Sequence, residues 1–470
     1  MKFSEKNTVF VKHKGSINVQ GVKNVISFIV KELINLKCFL VCNGTFYLRN
    51  KNLLTAIIDR DVGGMIRCFL DDESRTEVSS ANINEVVERL RDISDIQIDI
   101  DEIREKTKYK VLTLNGVFDV LTGKFNRKPP DNELFLYIVN FNYEKNATIE
   151  KAPNYSYFVK TSLGEENLEC ILEWKGYSCT IITDARKFMT FIGPEQCGKS
   201  LELDILEAGI GEENTSAVSF ARLGTEQSRI KYQGKIANIS REISAEPLKN
   251  EDAFKSLVAG EKITGRRLYE NSREFKPYLK FIAASNFFPH FKHLDTALLD
   301  RIIPVYFKDR VSNDVKTDYE LRDKILAEKD IIFSMALDRM PELIKSGYQF
   351  SMSDRAKTVL ANKRQELLNV SAFIKETFEL DSESIISSAH LYNLYKEWCG
   401  FNAIAPEGRN TFYGKVTDYS NQIGRGKFHF GNRNLNGFKG LKLKCNYNEN
   451  MYEQSYQDSP VSTQKGEDAE

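Results

Sequence analysis

Gly193, Gly198, Lys199 and Ser200 stand at the spacing G-x-x-x-x-G-K-[ST] within FIGPEQCGKS, residues 191–200. That pattern suits the cradling of a polyphosphate. Loop N–H groups and the first turn of a helix converge on one spot, where the helix dipole also favours an anion. Glycine lets a phosphate approach closely and tolerates positive φ. On this reading Gly193, Pro194, Glu195, Gln196, Cys197, Gly198, Lys199, Ser200 and Leu201 form a nucleoside triphosphate site. Lys199 would reach the β- and γ-phosphates and Ser200 would ligate Mg²⁺.

Three residues further on could complete a hydrolytic centre. Glu242 ends the apolar stretch KIANISREIS, where a carboxylate can polarise an attacking water or hold the metal's water shell. Alone it is more often an ordinary strand-end acid. Asn286 closes LKFIAASN and could hydrogen-bond a γ-phosphate or water, although an Asn before Phe-Phe-Pro also forms turns. Arg301 stands between apolar runs in LLDRIIPVYF, a position that by itself suggests half of an ion pair with Asp300 or Asp295. Each signal is weak. Their order and spacing after the phosphate loop are not.

The elements that must position these residues read as an α/β core. KFMTFI before the loop predicts a strand, and the apolar spacing of Leu201, Leu203, Ile205 and Leu206 predicts a helix after it. Apolar strands alternating with helices continue to about residue 330, the pattern of a three-layer core around a sheet. In 254–278 a strand-prone basic segment carries Lys255, Lys262, Arg266, Arg267, Arg273 and Lys276. With Gly265 at a hairpin tip, Lys262, Arg266 and Arg267 would be offered to a phosphate backbone, or simply to solvent.

Around this core we expect a small mixed N-terminal domain over 1–105, a connector over 106–165, the core over 166–345, a helical linker over 346–369, a further domain over 370–445 and an acidic tail over 446–470. Asn43-Gly44 predicts a hairpin, and Val86, Val87, Leu90 and Ile93 form one helical stripe. Asn115-Gly116 and Gly123 mark two turns between short strands. Residues 331–368 read as amphipathic helices, a lid on the core. In 370–445 three helix-like segments precede a glycine-rich basic run, the layout of a winged helix, which serves DNA binding or protein docking. Arg409, Asn410, Tyr413 and Lys415 would lie on its recognition helix, with Arg425, Lys427, Arg433 and Lys439 in the wing.

Composition bounds the rest. The chain of 470 residues has zero formal net charge, so nucleic-acid binding must come from local patches. The apolar run Val25–Cys42 is broken by Lys31, Glu32 and Lys37 and cannot span a bilayer. The N-terminal residues have no secretory pattern, and the eight cysteines form no C-x-x-C pair, which fits a cytoplasmic protein with reduced thiols.

The series GPEQCGKS, KIANISREIS, FKSLVAGEKITG, FIAASNFFP and LLDRIIPVYF resembles the superfamily 3 helicases, in the branch of satellite-phage, poxvirus and phage-inducible-island replication proteins. LNGVFDVLTGKF and AHLYNLYKEWCGFNAIAPEGRNTFYGKV are similar to segments that flank the ATPase in that branch. The resemblance implies an AAA+ core that binds ATP and Mg²⁺. It implies a homo-oligomeric ring, most often a hexamer, that acts on single-stranded and forked DNA. The C-terminal domain would recognise an origin. Glu242 would be the Walker B acid, Asn286 the γ-phosphate sensor and Arg301 an arginine finger serving the neighbouring subunit. Lys262, Arg266 and Arg267 would line the pore. Arg241 departs from the pattern, since relatives often carry a second acid there. A DNA-binding ATPase switch without processive unwinding, an origin-melting factor or a helicase loader, remains the alternative reading.

Overall fold

The computed structural model describes residues 13–219, 222, 226–243, 248, 250–265, 272–291, 294–309, 320–402, 404–431 and 433–444. It divides into two units, residues 1–357 and 358–470.

The first unit opens with a helix, Val25–Asn35, and an antiparallel sheet of β1 (Phe39–Cys42), β2 (Thr45–Asn50) and β3 (Leu53–Ala56). Asn43 and Gly44 adopt φ of 47° and 75°, which the tight β1–β2 turn demands. The helix Ser80–Asp92 buries Ile83, Val86, Val87 and Leu90, the stripe its periodicity predicted. A second meander follows: β4 (Lys110–Thr113), β5 (Gly116–Asp119) and β6 (Lys124–Asn126). Its Val111 and Phe118 share one apolar cluster with Met189 and Phe191 of the phosphate-loop strand. Asn140, farther along, donates from its backbone to Gly209 O at 2.8 Å and from its side chain to Ala208 O at 3.0 Å. The expected connector is therefore packed into the core of the loop and its helix.

That core is a parallel five-stranded sheet. β7 (Phe188–Ile192), β8 (Thr215–Ser216), β9 (Ala237–Ser240), β12 (Lys280–Ser285) and β13 (Ile302–Tyr306) lie in the order β13-β7-β12-β9-β8. Every residue of β7, β9 and β12 is buried, as a sheet covered on both faces requires. Full burial of Phe188, Met189, Phe191 and Ile192 contributes roughly 1.5–3 kcal/mol apiece. Pro304 lacks an N–H and is tolerated because β13 is the edge strand, with β7 as its one partner. Between β9 and β12 lies the hairpin of β10 (Ile263–Gly265) and β11 (Arg273–Phe275), in which Gly265 pairs with Arg273. Gly265 thus ends a strand and is not the hairpin tip.

Among the helices after β13, Met340–Lys345 buries only Met340 and Leu343, but Lys329–Asp338 is not an amphipathic cover. In Lys329–Asp338 the run Ile332–Leu337 is wholly buried. Gly176 meets Ala336 O and Gly209 meets the Phe333 ring so closely that neither glycine could carry a side chain. Lys329–Asp338 thus belongs to the core.

The second unit carries the sheet order β14-β16-β15, from β14 (Phe378–Ser387), β15 (Gly424–Phe430) and β16 (Arg433–Leu443). The helices Ser388–Phe401 and Arg409–Tyr419 lie between β14 and β15 in sequence. Phe378–Ser387 is a strand that the sequence reading did not anticipate. The first of the three helices expected in 370–445 is the end of a longer one, Asp354–Thr377. An aromatic cluster holds the unit together, with Tyr395 stacked on Phe412 at 4.2 Å. Residues 446–470, the expected tail, lie outside the described residues.

Candidate functional site

β7 ends at Ile192, and the helix Lys199–Ile210 begins six residues beyond Gly193. The intervening loop turns back through positive φ at Gln196 (60°) and Gly198 (101°). A Cβ on Gly193 would come within 2.9 Å of Cys197 Sγ, and one on Gly198 within 2.7 Å of the Phe158 ring. Both glycines are therefore required by the loop's own packing. Lys199 is 9% exposed, and its ammonium donates to Gly193 O at 2.7 Å, Pro194 O at 2.5 Å and Asn286 Oδ1 at 3.1 Å. The lysine thus curls over its own loop and meets the amide carried by β12. Glu195, Gln196 and Ser200 are exposed, Cys197 is buried and Leu201 packs partly against the core. This donor set, a loop-embraced ammonium beside exposed N-terminal helix residues, fits a polyphosphate with its cation. The nucleotide would supply the phosphoanhydride, Lys199 would hold its oxygens, and Ser200 with Glu242 would hold the metal. Among the described residues no group of three His, Cys, Asp or Glu side chains gathers elsewhere for a metal.

The register explains why Lys199 and Asn286 meet. β12 pairs in parallel with β7, Ser285 opposite Ile192, so Asn286 and Gly193 emerge together at the carboxyl edge. Ser240 of β9 lies opposite Ala283, and Ile243 N donates to Ala284 O at 2.9 Å. Glu242 therefore leaves the same edge, exposed, one strand farther along. Carboxyl edges of parallel strands are where ligands bind in such sheets.

Arg241 turns away from that edge. Its guanidinium donates to Asp204 Oδ1 at 2.6 Å and Glu207 Oε2 at 2.8 Å on the phosphate-loop helix. Arg322 donates to the other Asp204 oxygen at 2.9 Å. Partial burial would lower the Arg241 pKa, but the two carboxylates outweigh it and hold it raised. At the position where the family it resembles often has a second acid, the chain has a clamp between the end of β9 and the helix. A second tie lies beneath the helix: fully buried Lys175 donates to Glu202 and, at 3.1 Å, to the Tyr155 hydroxyl. Burial pushes its pKa well below that of an ordinary lysine. Neither tie was legible, because both join residues distant in sequence.

Arg301 lies at the opposite edge. Its carbonyl accepts from Phe188 N at 2.8 Å, at the start of β7, and its guanidinium donates to Ala297 O at 2.7 Å. Asp295, the ion-pair partner that the sequence suggested, accepts directly from Lys255 at 2.7 Å, and the Arg301 charge acts on it only without a direct contact.

The candidate DNA contacts divide. Lys262 is exposed just before β10, while Arg266 and Arg267 lie outside the described residues. In the second unit Arg409, Arg425, Lys427 and Arg433 are exposed. Tyr413 is not available to DNA. It is 8% exposed, its hydroxyl donates to Ser388 O at 2.8 Å, and Arg425 lies over its ring at 4.8 Å. Lys415 is paired with Glu407.

Three family descriptions match this chain in succession. "D5 N terminal like" covers residues 30–175, "Family of unknown function (DUF5906)" covers 191–301, and "Poxvirus D5 protein-like" covers 369–457. The two descriptions that name D5 thus match on either side of the phosphate-loop sheet. The DUF5906 match runs from the strand before the phosphate loop to Arg301 and so contains all four candidate catalytic residues. No curated protein matches. Among solved structures, the A form apo structure of the NrS-1 C terminal region is 13% identical, covering 88% of this chain and 99% of that one, with a TM-score of 0.46. A second apo structure of that region has 13% identity, the same coverage and a TM-score of 0.44. Among the described residues no helix is long and apolar enough to cross a membrane.

Proposed function

We propose that this chain is an ATP-dependent DNA helicase and replication initiator of the superfamily 3, AAA+ type, assembled as a hexameric ring. The observation that carries the reading is the meeting of Lys199 with Asn286 at 3.1 Å across two adjacent parallel strands. An ammonium and a neutral amide that share one spot can report on a γ-phosphate as well as bind it. ATP bound with Mg²⁺ supplies the energy of the phosphoanhydride bond. Lys199 neutralises charge on the phosphates, Ser200 and Glu242 hold the metal and its water, and Glu242 accepts a proton from the attacking water. Asn286 orients that water or the γ-phosphate. Arg301 completes the site of a neighbouring subunit, and Lys262, Arg266 and Arg267 move with the hydrolysis state along one DNA strand. The second unit, by its exposed arginines and lysines, binds origin duplex. The D5-like matches on both sides of the sheet also support a role in viral or phage DNA replication.

The test is strand displacement on forked duplexes of increasing length, with ATP hydrolysis measured in parallel. Wild type should separate long duplexes, and Lys199→Ala should abolish both activities. Hydrolysis that survives Lys199→Ala sinks the reading. Hydrolysis without unwinding of long duplexes would instead mark an origin-melting switch or loader.

A further inference from the structure

The ribbon of β15 and β16 has two faces of different chemistry. Arg425 lies over the rings of Tyr413 at 4.8 Å and Phe438 at 5.9 Å, so its face is the one that continues the core. Side chains alternate along a strand. Exposed Lys427 and His429 therefore extend that face outward, opposite Asn436 and Asn434. It is polar and cationic.

The reverse face is apolar. Phe428 stands opposite Leu435, which is 43% exposed, and Phe430 stands opposite Arg433. Both rings bend over glycines, Phe428 toward Gly426 and Phe430 toward Gly437. Beside Phe430 the surface dips into a groove of about 360 Å³, with Ile385, Ser387 and His390 in its wall. From Gly424 to Lys444 the sequence has six Lys and Arg residues and not one Asp or Glu. That run asks for a polyanion. Lys439 has Glu383 at 3.8 Å and Lys444 donates to Lys375 O, but an apolar protein partner would offer Arg425, Lys427 and Arg433 no phosphates. A duplex taken by the cationic face would leave the rings in water, because paired bases hide their π-faces within the stack. A single strand satisfies both requirements, offering phosphates to the cations and unstacked bases to the rings.

We propose that the Phe428–Leu435 face of this ribbon is a stacking platform for unpaired bases of single-stranded DNA. The proposal rests on the reading that the chain acts on DNA, and it adds a second nucleic-acid surface to the unit assigned to duplex binding. One ribbon then touches both forms, duplex by the Lys427 face and single strand by the Phe428 face, as a device at a strand junction must.

The experiment titrates full-length protein against fluorescein-labelled oligo-dT and a labelled duplex of equal length, by anisotropy. Phe428→Ala combined with Leu435→Ala should weaken oligo-dT binding about tenfold or more while duplex affinity hardly moves. Lys427→Ala should weaken duplex binding. Phe428→Trp should retain oligo-dT affinity, and its emission should be quenched on binding, a readout that survives if the alanine variant folds poorly. The proposal is overturned if the alanine pair leaves oligo-dT affinity intact, or lowers duplex and oligo-dT affinity equally. An unquenched Phe428→Trp overturns it too. So does a fall in melting temperature with unchanged affinity, which would make the rings mere covers for Gly426 and Gly437. If Lys427→Ala acts and the Phe428 variants do not, the DNA reading stands and the platform alone falls. If wild type binds neither probe, the DNA reading itself fails.

Discussion

Arg301→Ala distinguishes a self-sufficient site from a shared one. Ile302 lies opposite Phe188 and Tyr306 opposite Ile192, so Arg301 and Gly193 are six residue levels apart on adjacent strands. At about 3.3 Å per residue that is roughly 20 Å, more than twice the reach of an arginine side chain. Arg301 therefore cannot touch its own phosphate loop. If it stabilises the transferring phosphoryl, it does so in the next subunit, and its loss should lower kcat for ATP by about 10³-fold or more. Mixing is the decisive assay. At equal parts of wild type and Arg301→Ala, a six-membered ring that needs every site retains about 2% of its unwinding, whereas independent sites retain about half. Hydrolysis and unwinding should be followed across the whole range of mixtures. A variant that unwinds normally, or activity that falls only in proportion to wild-type content, refutes the shared site.

Two further substitutions probe the supports of the site. Lys280 is fully buried, donating to Thr180 O and Tyr278 O, and burial lowers its pKa from 10.5 to about 7. Because the folded value is the depressed one, the unfolded chain holds the extra proton between those values, and this group's contribution to stability rises with pH through that window. Urea melts of wild type and Lys280→Met from pH 7 to 10 should therefore converge or cross by about 1.4 kcal/mol per pH unit, and parallel curves refute the assignment. Arg241→Ala removes two charge-assisted bonds from a guanidinium that is 49% exposed, so the stability cost is only about 1 kcal/mol. Its larger effect should be on kcat, about tenfold with KM for ATP unchanged, because Glu242 is the next residue. Arg241→Lys should restore part of it, and steady-state kinetics showing a KM effect alone would refute the clamp.

The strands that carry the site were legible because each is a short apolar run ending in a polar residue. KFMTFI, KFIAAS and the run after Arg301 could hardly be anything but buried strands, and Asn43-Gly44 could hardly be anything but a tight turn. What the sequence could not convey is whatever depends on strand order. Nothing in LKFIAASN says that its strand lies beside β7 and not beside β13, so the meeting of Asn286 with Lys199 was an expectation borrowed from a resemblance. Tyr413 misled for a related reason. An aromatic on a basic helix reads as a DNA contact, and only the packing reveals that Ser388 and Arg425 claim it. The lid expected over 331–368 fails at Lys329–Asp338, because helical spacing of apolar residues does not distinguish a covering helix from one buried on nearly all sides. β14 escaped because FELDSESIIS is half polar, and its pairing with β16 rather than its own pattern makes it a strand.

Register also explains why the proposed enzyme should need company. The carboxyl edge of the sheet gathers a loop lysine, a sensor amide and an acid, which suffices to bind a nucleotide and hold a water. Arg241 and Arg322, the arginines on either side of the phosphate-loop helix, are tied to Asp204, and Arg241 to Glu207 as well. Arg301 is carried to the far edge by the same parallel pairing that aligns the rest. If Arg301 is the group that stabilises the transferring phosphoryl, a strand order that gathers Lys199, Asn286 and Glu242 on one edge and carries Arg301 to the other makes hydrolysis depend on a neighbour. In the proposed ring that dependence is what would couple ATP turnover in one subunit to the position of the next along the DNA.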